Sequence, residues 1–264
     1  MKSAHLHQHY AKDDGPFVDQ ALEWIDRVQR QYTLHVTHFL NPHEALILQQ
    51  LAAHSDLQVF SSSDFFPGEY RRVILAPEYY QLDLDDFEIS LIEIQFASKF
   101  NRLRHSQILG TLLNQLGMER WVLGDILVAE DAAQFTLERP LVPLVLQSIQ
   151  KISRVPVRLQ EVSWDQRLRL EEEAKAKDIL VSSMRLDKLI AASFNLSRSV
   201  ASQLIQTNKV KLNYHEVNSV SQPLEIGHLV SVRGYGRFTL AGDNGLSKNG
   251  KHKLTVNIIS SKKS

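Results

Sequence analysis

The chain has 264 residues, 43% of them apolar, with 30 basic side chains, 30 acidic ones and no cysteine. That length is long for one core and suits two or three domains. The lack of cysteine excludes a disulfide framework and a thiolate metal site. The polar first 20 residues hold no apolar signal core, and no later run is long enough to span a bilayer. The expectation is therefore a soluble protein of the reducing cytoplasm. The neutral total hides a division: residues 1–179 carry 18 Lys/Arg and 26 Asp/Glu, a net −8, whereas residues 180–264 carry 12 and 4, a net +8. A basic end on an acidic body points to a polyanionic partner, although a basic face can also serve solubility alone.

In residues 1–80, Phe17, Ala21, Leu22, Ile25 and Val28 recur at helical spacing, and Ala45, Leu48, Leu51 and Ala52 repeat the pattern over 44–54. Residues 58–60 and 72–75 read as strands separated by a Ser-rich, Pro-Gly turn, which gives a small α/β unit. His5, His7 and His9 could share one strand face as metal ligands. In so polar a segment they read better as solvated, and no metal is expected.

Residues 81–165 follow a β-α-β-β-α-β order: a strand over 87–97, a helix over 106–116 closed by Gly117, strands over 121–129 and 134–138, a helix over 143–152 and a strand over 155–162. This is the split βαβ order of ferredoxin-like folds, shared with RNA-recognition modules. The central strands offer Phe96 and Phe135, without the stacking signature of those modules. His105, Gly110, Gly117, Gly124 and Asp125 admit two readings: a second contact surface, or a Gly-capped helix and a turn in which Asp125 bonds backbone. The second is favoured. Residues 166–181 are highly charged, and the Glu171/Lys175 and Glu173/Lys177 pairs predict an exposed linker helix.

The chemistry concentrates in residues 182–264. Leu186, Leu189, Ile190 and Phe194 mark one helix, with Asp187 in its first turn, where the macrodipole favours an anion. Val200, Ala201, Leu204 and Ile205 mark the buried stripe of a second, with Ser197 as N-cap. Arg198 and Ser199 then sit at an exposed helix start, an anion site suited to phosphate. A strand follows with Lys209 and Lys211 on one face and Val210 and Leu212 on the other. Residues 229–233 form another strand ending at Arg233, and Gly234 to Phe238 turns the chain past Arg237. The expectation is one basic surface that tracks phosphates rather than reading bases.

These residues resemble the RNA-binding domain of ribosomal protein S-four. The family pattern R-L-D, S-R-x-x-A, V-x-V-N and G-D is present as Arg185-Leu186-Asp187, Ser197 to Ala201, Val210 to Asn213, and Gly227-His228. The resemblance implies two helices on a small antiparallel sheet, with Arg185, Lys188, Arg198, Ser199, Gln203, Lys209 and Lys211 as RNA contacts. Ser197, Asn213, Arg233 and Arg237 complete the candidate set. Asn208 stands where Gly is usual and keeps access to the left-handed conformation. His228 replaces the usual Asp and with it a carboxylate cap. Upstream, Thr37 to Glu44, Gly68 to Pro77, His105 to Gly110 and Leu123 to Ile126 are similar to bacterial YlmH-type proteins. That resemblance implies binding to the large ribosomal subunit stalled with a peptidyl-tRNA, and a link to cell division.

An RNA-modifying enzyme of the pseudouridine synthase type is the main alternative, since many such enzymes carry this domain. They need a catalytic Asp in a G-R-L-D-type motif outside the binding domain, whereas the R-L-D here follows Met184 and lies within it. A septation scaffold working through the acidic body is the other alternative. His43-Glu44 lacks the second His of a zinc motif, because Ile47 stands there, and Gly234-Tyr235-Gly236 lacks the third Gly of a dinucleotide loop, because Thr239 does. The reading is an α+β, non-catalytic RNA-binding protein with no cofactor, no small-molecule substrate and no membrane partner, whose partners are ribosomal RNA or tRNA.

Overall fold

In the computed structural model, which describes residues 10, 12–170 and 174–260, the chain forms two units, residues 1–170 and 171–264. His5, His7 and His9 lie outside the described residues. Helix α1 (Gly15–Gln31) has Pro16 in its first turn, where a missing N–H is no loss, and buries Phe17, Val18, Ala21, Trp24, Ile25 and Val28. Tyr32 ends it in the left-handed conformation, φ 51°. Helix α2 (Pro42–Ala52) begins with a reciprocal cap. Asn41 Oδ1 accepts the His43 and Glu44 N–H groups at 2.9 Å, and Glu44 Oε2 accepts the Asn41 N–H at 2.9 Å. Both helices pack on a sheet of β1 (His35–Val36), β2 (Leu57–Ser61) and β3 (Val73–Pro77), ordered β1-β3-β2 and antiparallel throughout. The two-residue β1 is an addition to the expected elements.

The second part of this unit holds β4 (Ile89–Gln95), α3 (His105–Leu116), β5 (Leu123–Val128), β6 (Ala133–Glu138), α4 (Val142–Ser148) and β9 (Arg158–Val162). The antiparallel order β5-β6-β4-β9 is the ferredoxin-like arrangement. Gly117 caps α3 at φ 60°, as expected. Helix α4 is shorter than expected. It stops at Ser148, and a hairpin of β7 (Lys151–Ile152) and β8 (Val155–Pro156), turned at Ser153 with φ 55°, takes the residues assigned to the helix end and the strand start. Phe135 is 1% exposed and packs with Ile92 and Ile94 in the core that α3 and α4 cover.

The other face of this sheet is also closed. Gln134 and Thr136 are 2% and 5% exposed. Gln134 donates to Gln166 O at 2.9 Å and accepts the Leu168 N–H at 2.7 Å. Thr136 Oγ1 accepts the Asp125 N–H at 2.8 Å, and a Cβ on Gly124 would overlap that hydroxyl and stand 2.7 Å from the Phe39 ring. The joint between the two halves is pinned twice. Asp125 accepts the Glu69 and Tyr70 N–H groups at 2.7 and 3.0 Å, which is the backbone-bonding role expected of it. Its burial pushes the carboxyl up, against the pull of those donors. Arg72, 5% exposed, donates to the carbonyls of Thr37, Phe87 and Glu88 at 2.6, 2.8 and 3.0 Å. His38 packs between Trp24 and Trp121, and burial with the Arg72 and His35 charges holds it down at about 4.

In the second unit β10 (Lys175–Val181), α5 (Leu186–Phe194), α6 (Arg198–Gln206), β11 (Val210–Leu212), β12 (His215–Glu216), β13 (Leu229–Val232), β14 (Gly236–Leu246) and β15 (His252–Ser260) form two helices on an antiparallel sheet ordered β10-β15-β14-β13-β11-β12. The linker helix expected over 166–181 is corrected here. Residues 171–173 lie outside the described residues, and residues 175–181 are a strand paired along its whole length with β15. The reason is tertiary: Ile179 and Val181 enter the core while Lys177 caps α5, donating to Ala192 O, Ser193 O and Asn195 Oδ1 at 2.8, 3.0 and 2.8 Å.

Candidate nucleic-acid interface

Helix α5 buries Leu186, Leu189 and Ile190, and its first turn also buries Asp187 completely. A buried carboxylate must be paired, and two arginines do this. Arg185, the N-cap residue, approaches through Nε and a terminal nitrogen at 3.1 and 3.3 Å, and Arg198, the first residue of α6, through Nε at 2.7 Å. Burial alone would raise the Asp187 carboxyl. Hydrogen bonds and charge from Arg185 and Arg198 outweigh it and hold the group below the usual carboxylate range. One buried anion thus fixes two guanidinium groups at the starts of two helices. The Arg198 side chain stays 59% exposed and that of Arg185 35%.

The surrounding turns follow from single residues. Ser197 Oγ caps α6 by accepting the Val200 N–H at 3.3 Å and lies 2.9 Å from Ser199 Oγ. Lys188 Nζ reaches Ser182 Oγ at 2.7 Å. Val200, expected in the buried stripe, is 37% exposed, because Ala201, Leu204 and Ile205 already fill the contact with α5. Asn208 adopts φ 54°, the left-handed turn expected of it. Asn213 and Tyr214, at φ 46° and 72°, make the two-residue hairpin turn from β11 to β12. Asn213 Oδ1 accepts the Leu229 N–H at 2.9 Å, so that side chain is committed to the sheet. At His228 the imidazole takes over the cap of the missing carboxylate: Nδ1 accepts the Glu225 N–H at 3.1 Å.

The expected single basic surface divides in two. Lys211 pairs in register with Ser231, and Ser231 with Arg237, so these three share one face of the sheet. Val210, Val230, Val232 and Phe238 occupy the other, buried with the helices. Arg185 and Arg198 therefore cluster at the helix starts, whereas Lys211 and Arg237 lie on the helix-free face. Lys209 and Arg233 meet at the end of the β11–β13 pairing, where the Arg233 N–H donates to Lys209 O at 2.8 Å, and Gln203 is exposed on α6.

Two helices whose N-termini share a buried, arginine-clamped Asp, set on a twisted antiparallel sheet, define an S4-type RNA-binding protein. Comparison with known families agrees: the S4 domain model matches residues 184–230, the model of the YlmH N-terminal region residues 13–80 and the YlmH RNA-binding domain model residues 83–166. The ribosome-associated protein quality control protein P2 of Bacillus subtilis (strain 168) is 32% identical over 250 residues, spanning 95% of this chain and 97% of its own. The solved structure of the cell division protein YlmH from Streptococcus pneumoniae is similar with a TM-score of 0.56 and 42% identity, over 61% of this chain and 98% of its own. The chain belongs to the YlmH family. Among the described residues no helix is long and apolar enough to cross a membrane.

Proposed function

We propose that the protein binds RNA on the ribosome without catalysis, with ribosomal RNA or tRNA of the large subunit, stalled with a peptidyl-tRNA, as its target. The observation that carries this reading is the pair of arginines fixed on buried Asp187 at two helix starts, where N–H groups and a positive dipole end add to their charge. Such a surface suits backbone phosphates. The same contacts weigh against a pseudouridine synthase role for Asp187, since its carboxylate is buried and occupied by Arg185 and Arg198. The name of the Bacillus subtilis relative supports the ribosomal setting and that of the Streptococcus pneumoniae relative a link to division. We assign the primary contact to residues 182–264, through Arg185, Lys188, Ser197, Arg198, Ser199 and Gln203, with Lys209 and Arg233 at the strand ends, and Lys211 and Arg237 as a separate contact on the helix-free face.

Co-sedimentation with separated ribosomal subunits at moderate salt tests this. Wild type is expected to travel with the large subunit, and Arg185→Ala/Arg198→Ala to stay in the supernatant. Each lost phosphate contact should also lower the slope of log affinity against log salt by about one unit. Wild type remaining in the supernatant would refute the ribosomal reading, and equal migration of both proteins would refute the choice of contact.

A further inference from the structure

The middle domain cannot use the sheet surface by which RNA-recognition modules stack bases, because residues 164–168 and the N-terminal half cover Gln134 and Thr136 and Phe135 faces the helices. It presents an aromatic elsewhere. In the loop from β4 to α3, with the sequence Lys99-Phe100-Asn101-Arg102-Leu103-Arg104, Phe100 is 87% exposed, the most exposed large apolar side chain among the described residues. Among the described residues it meets no other ring.

The loop is built rather than loose. The Phe100 and Asn101 N–H groups and Asn101 Nδ2 all donate to Ala97 O at 3.1 Å, and Leu103, 6% exposed, anchors the far side in the domain core. Arg102 ties the loop to the β5–β6 turn through Glu130 Oε1 at 2.5 Å. Glu130 is thereby occupied, and the exposed Lys99 and Arg104, which flank Phe100 in the sequence, have no ion-pair partner among the described residues. Arg158, exposed and paired in register with Gln95, adds a third cation at the strand end that leads into the loop.

A water-facing ring in a loop that carries Lys99 and Arg104, with Arg158 on the adjoining strand and none of the three ion-paired among the described residues, has the chemistry of a single-strand platform: a base stacks on the ring while the cations hold its flanking phosphates. We propose that Phe100 is a base-stacking contact for unpaired RNA nucleotides, with Lys99, Arg104 and Arg158 as its phosphate partners. This rests on the RNA-binding reading above and assigns to the middle domain a second contact of a different kind. The C-terminal unit tracks phosphates of structured RNA, and Phe100 takes an unpaired base.

The test uses the full chain and two probes: a blunt 12-base-pair RNA hairpin, and the same hairpin carrying a six-uridine 3′ overhang. Stacking by one base supplies about 5- to 150-fold in affinity. Phe100→Ala is expected to lose that factor on the overhang probe alone, Phe100→Trp to keep it, and Phe100→Leu, which is apolar but has no π face, to lose it as Ala does. Affinity preserved in Phe100→Ala, or lost equally on both probes, would overturn the assignment. Full retention by Phe100→Leu would overturn it too, marking an apolar contact of the kind a protein partner makes. If wild type bound neither hairpin while Arg198→Ala behaved identically, the RNA-binding reading itself would fall and take this one with it. Because the ring is exposed, the variants should fold as wild type, with an unchanged denaturation midpoint as the check.

Discussion

Replacing Asp187 with Asn removes the one anion on which Arg185 and Arg198 converge, while keeping size and one acceptor oxygen. Removing one partner of a fully buried ion pair costs about 3–5 kcal/mol. Here the two arginines are 35% and 59% exposed and can be solvated again, so the smaller figure of about 2–3 kcal/mol applies to the C-terminal unit. In urea that is a midpoint shift of about 1–2 M. The pH dependence has a definite sign. The folded carboxyl is held below its unfolded value of about 3.9, so its stabilisation is present above that pH and is lost as pH falls through the folded value. The stability of Asp187→Asn should be flatter in that acid window. Binding gives the sharper contrast. The variant gains one positive charge, and charge alone predicts tighter RNA binding with a steeper salt dependence. If fixed arginine geometry matters, affinity falls by about tenfold, since two long side chains must be ordered on binding. Fluorescence anisotropy with a structured RNA, in conditions where both proteins are fully folded, separates the two. Equal or tighter binding by folded Asp187→Asn would refute the role of positioning.

Gly124→Ala should destabilise the N-terminal unit by roughly 2–4 kcal/mol in chemical denaturation, because the added methyl overlaps Thr136 Oγ1 and crowds Phe39 at 2.7 Å. RNA affinity of the folded C-terminal unit should not change. His38, held down at about 4, stays neutral in the folded state while the unfolded chain takes up its proton near pH 6.5. Stability of the N-terminal unit should therefore fall as pH drops from 6.5 to about 4, by at most roughly 3 kcal/mol, and His38→Gln should flatten that slope in urea midpoints taken across pH. His228→Ala should cost about 0.5–1.5 kcal/mol through the lost Glu225 cap, and His228→Asp should restore it, as read from the thermal midpoint of the C-terminal unit.

Elements that carry their own periodicity were legible in the sequence. The stripes of α1, α2 and α5 could be read because each buries a face every three or four residues, and the ferredoxin-like order could be read because its turns carry Gly and acidic punctuation. What escaped depends on partners far along the chain. Residues 175–181 look like an exposed helix by charge spacing, yet they are a strand because β15, more than 70 residues later, completes the pairing. The alternation of Lys177, Ile179 and Val181 was the available signal. Asp125 could be assigned to backbone bonding, but its donors at Glu69 and Tyr70 lie 56 and 55 residues away. In the candidate site, Asp187 was placed by the helix dipole, while its grip on Arg198 required the second helix. The division of Lys211 and Arg237 from the helix starts required the strand register. Phe100 was invisible as a site because an aromatic in sequence reads as core until its exposure is known.

RNA that binds the C-terminal unit should lie against the starts of α5 and α6. Since the chain has no cysteine, Val200→Cys, at a 37% exposed position beside Arg198, gives a single tether for an iron chelate that cleaves nearby RNA. On purified ribosomes, cleavage is expected to be confined to large-subunit RNA and bound tRNA, and to be lost in an Arg185→Ala/Arg198→Ala background. Cleavage that survives those substitutions, or none from a tethered protein that still co-sediments, would contradict it.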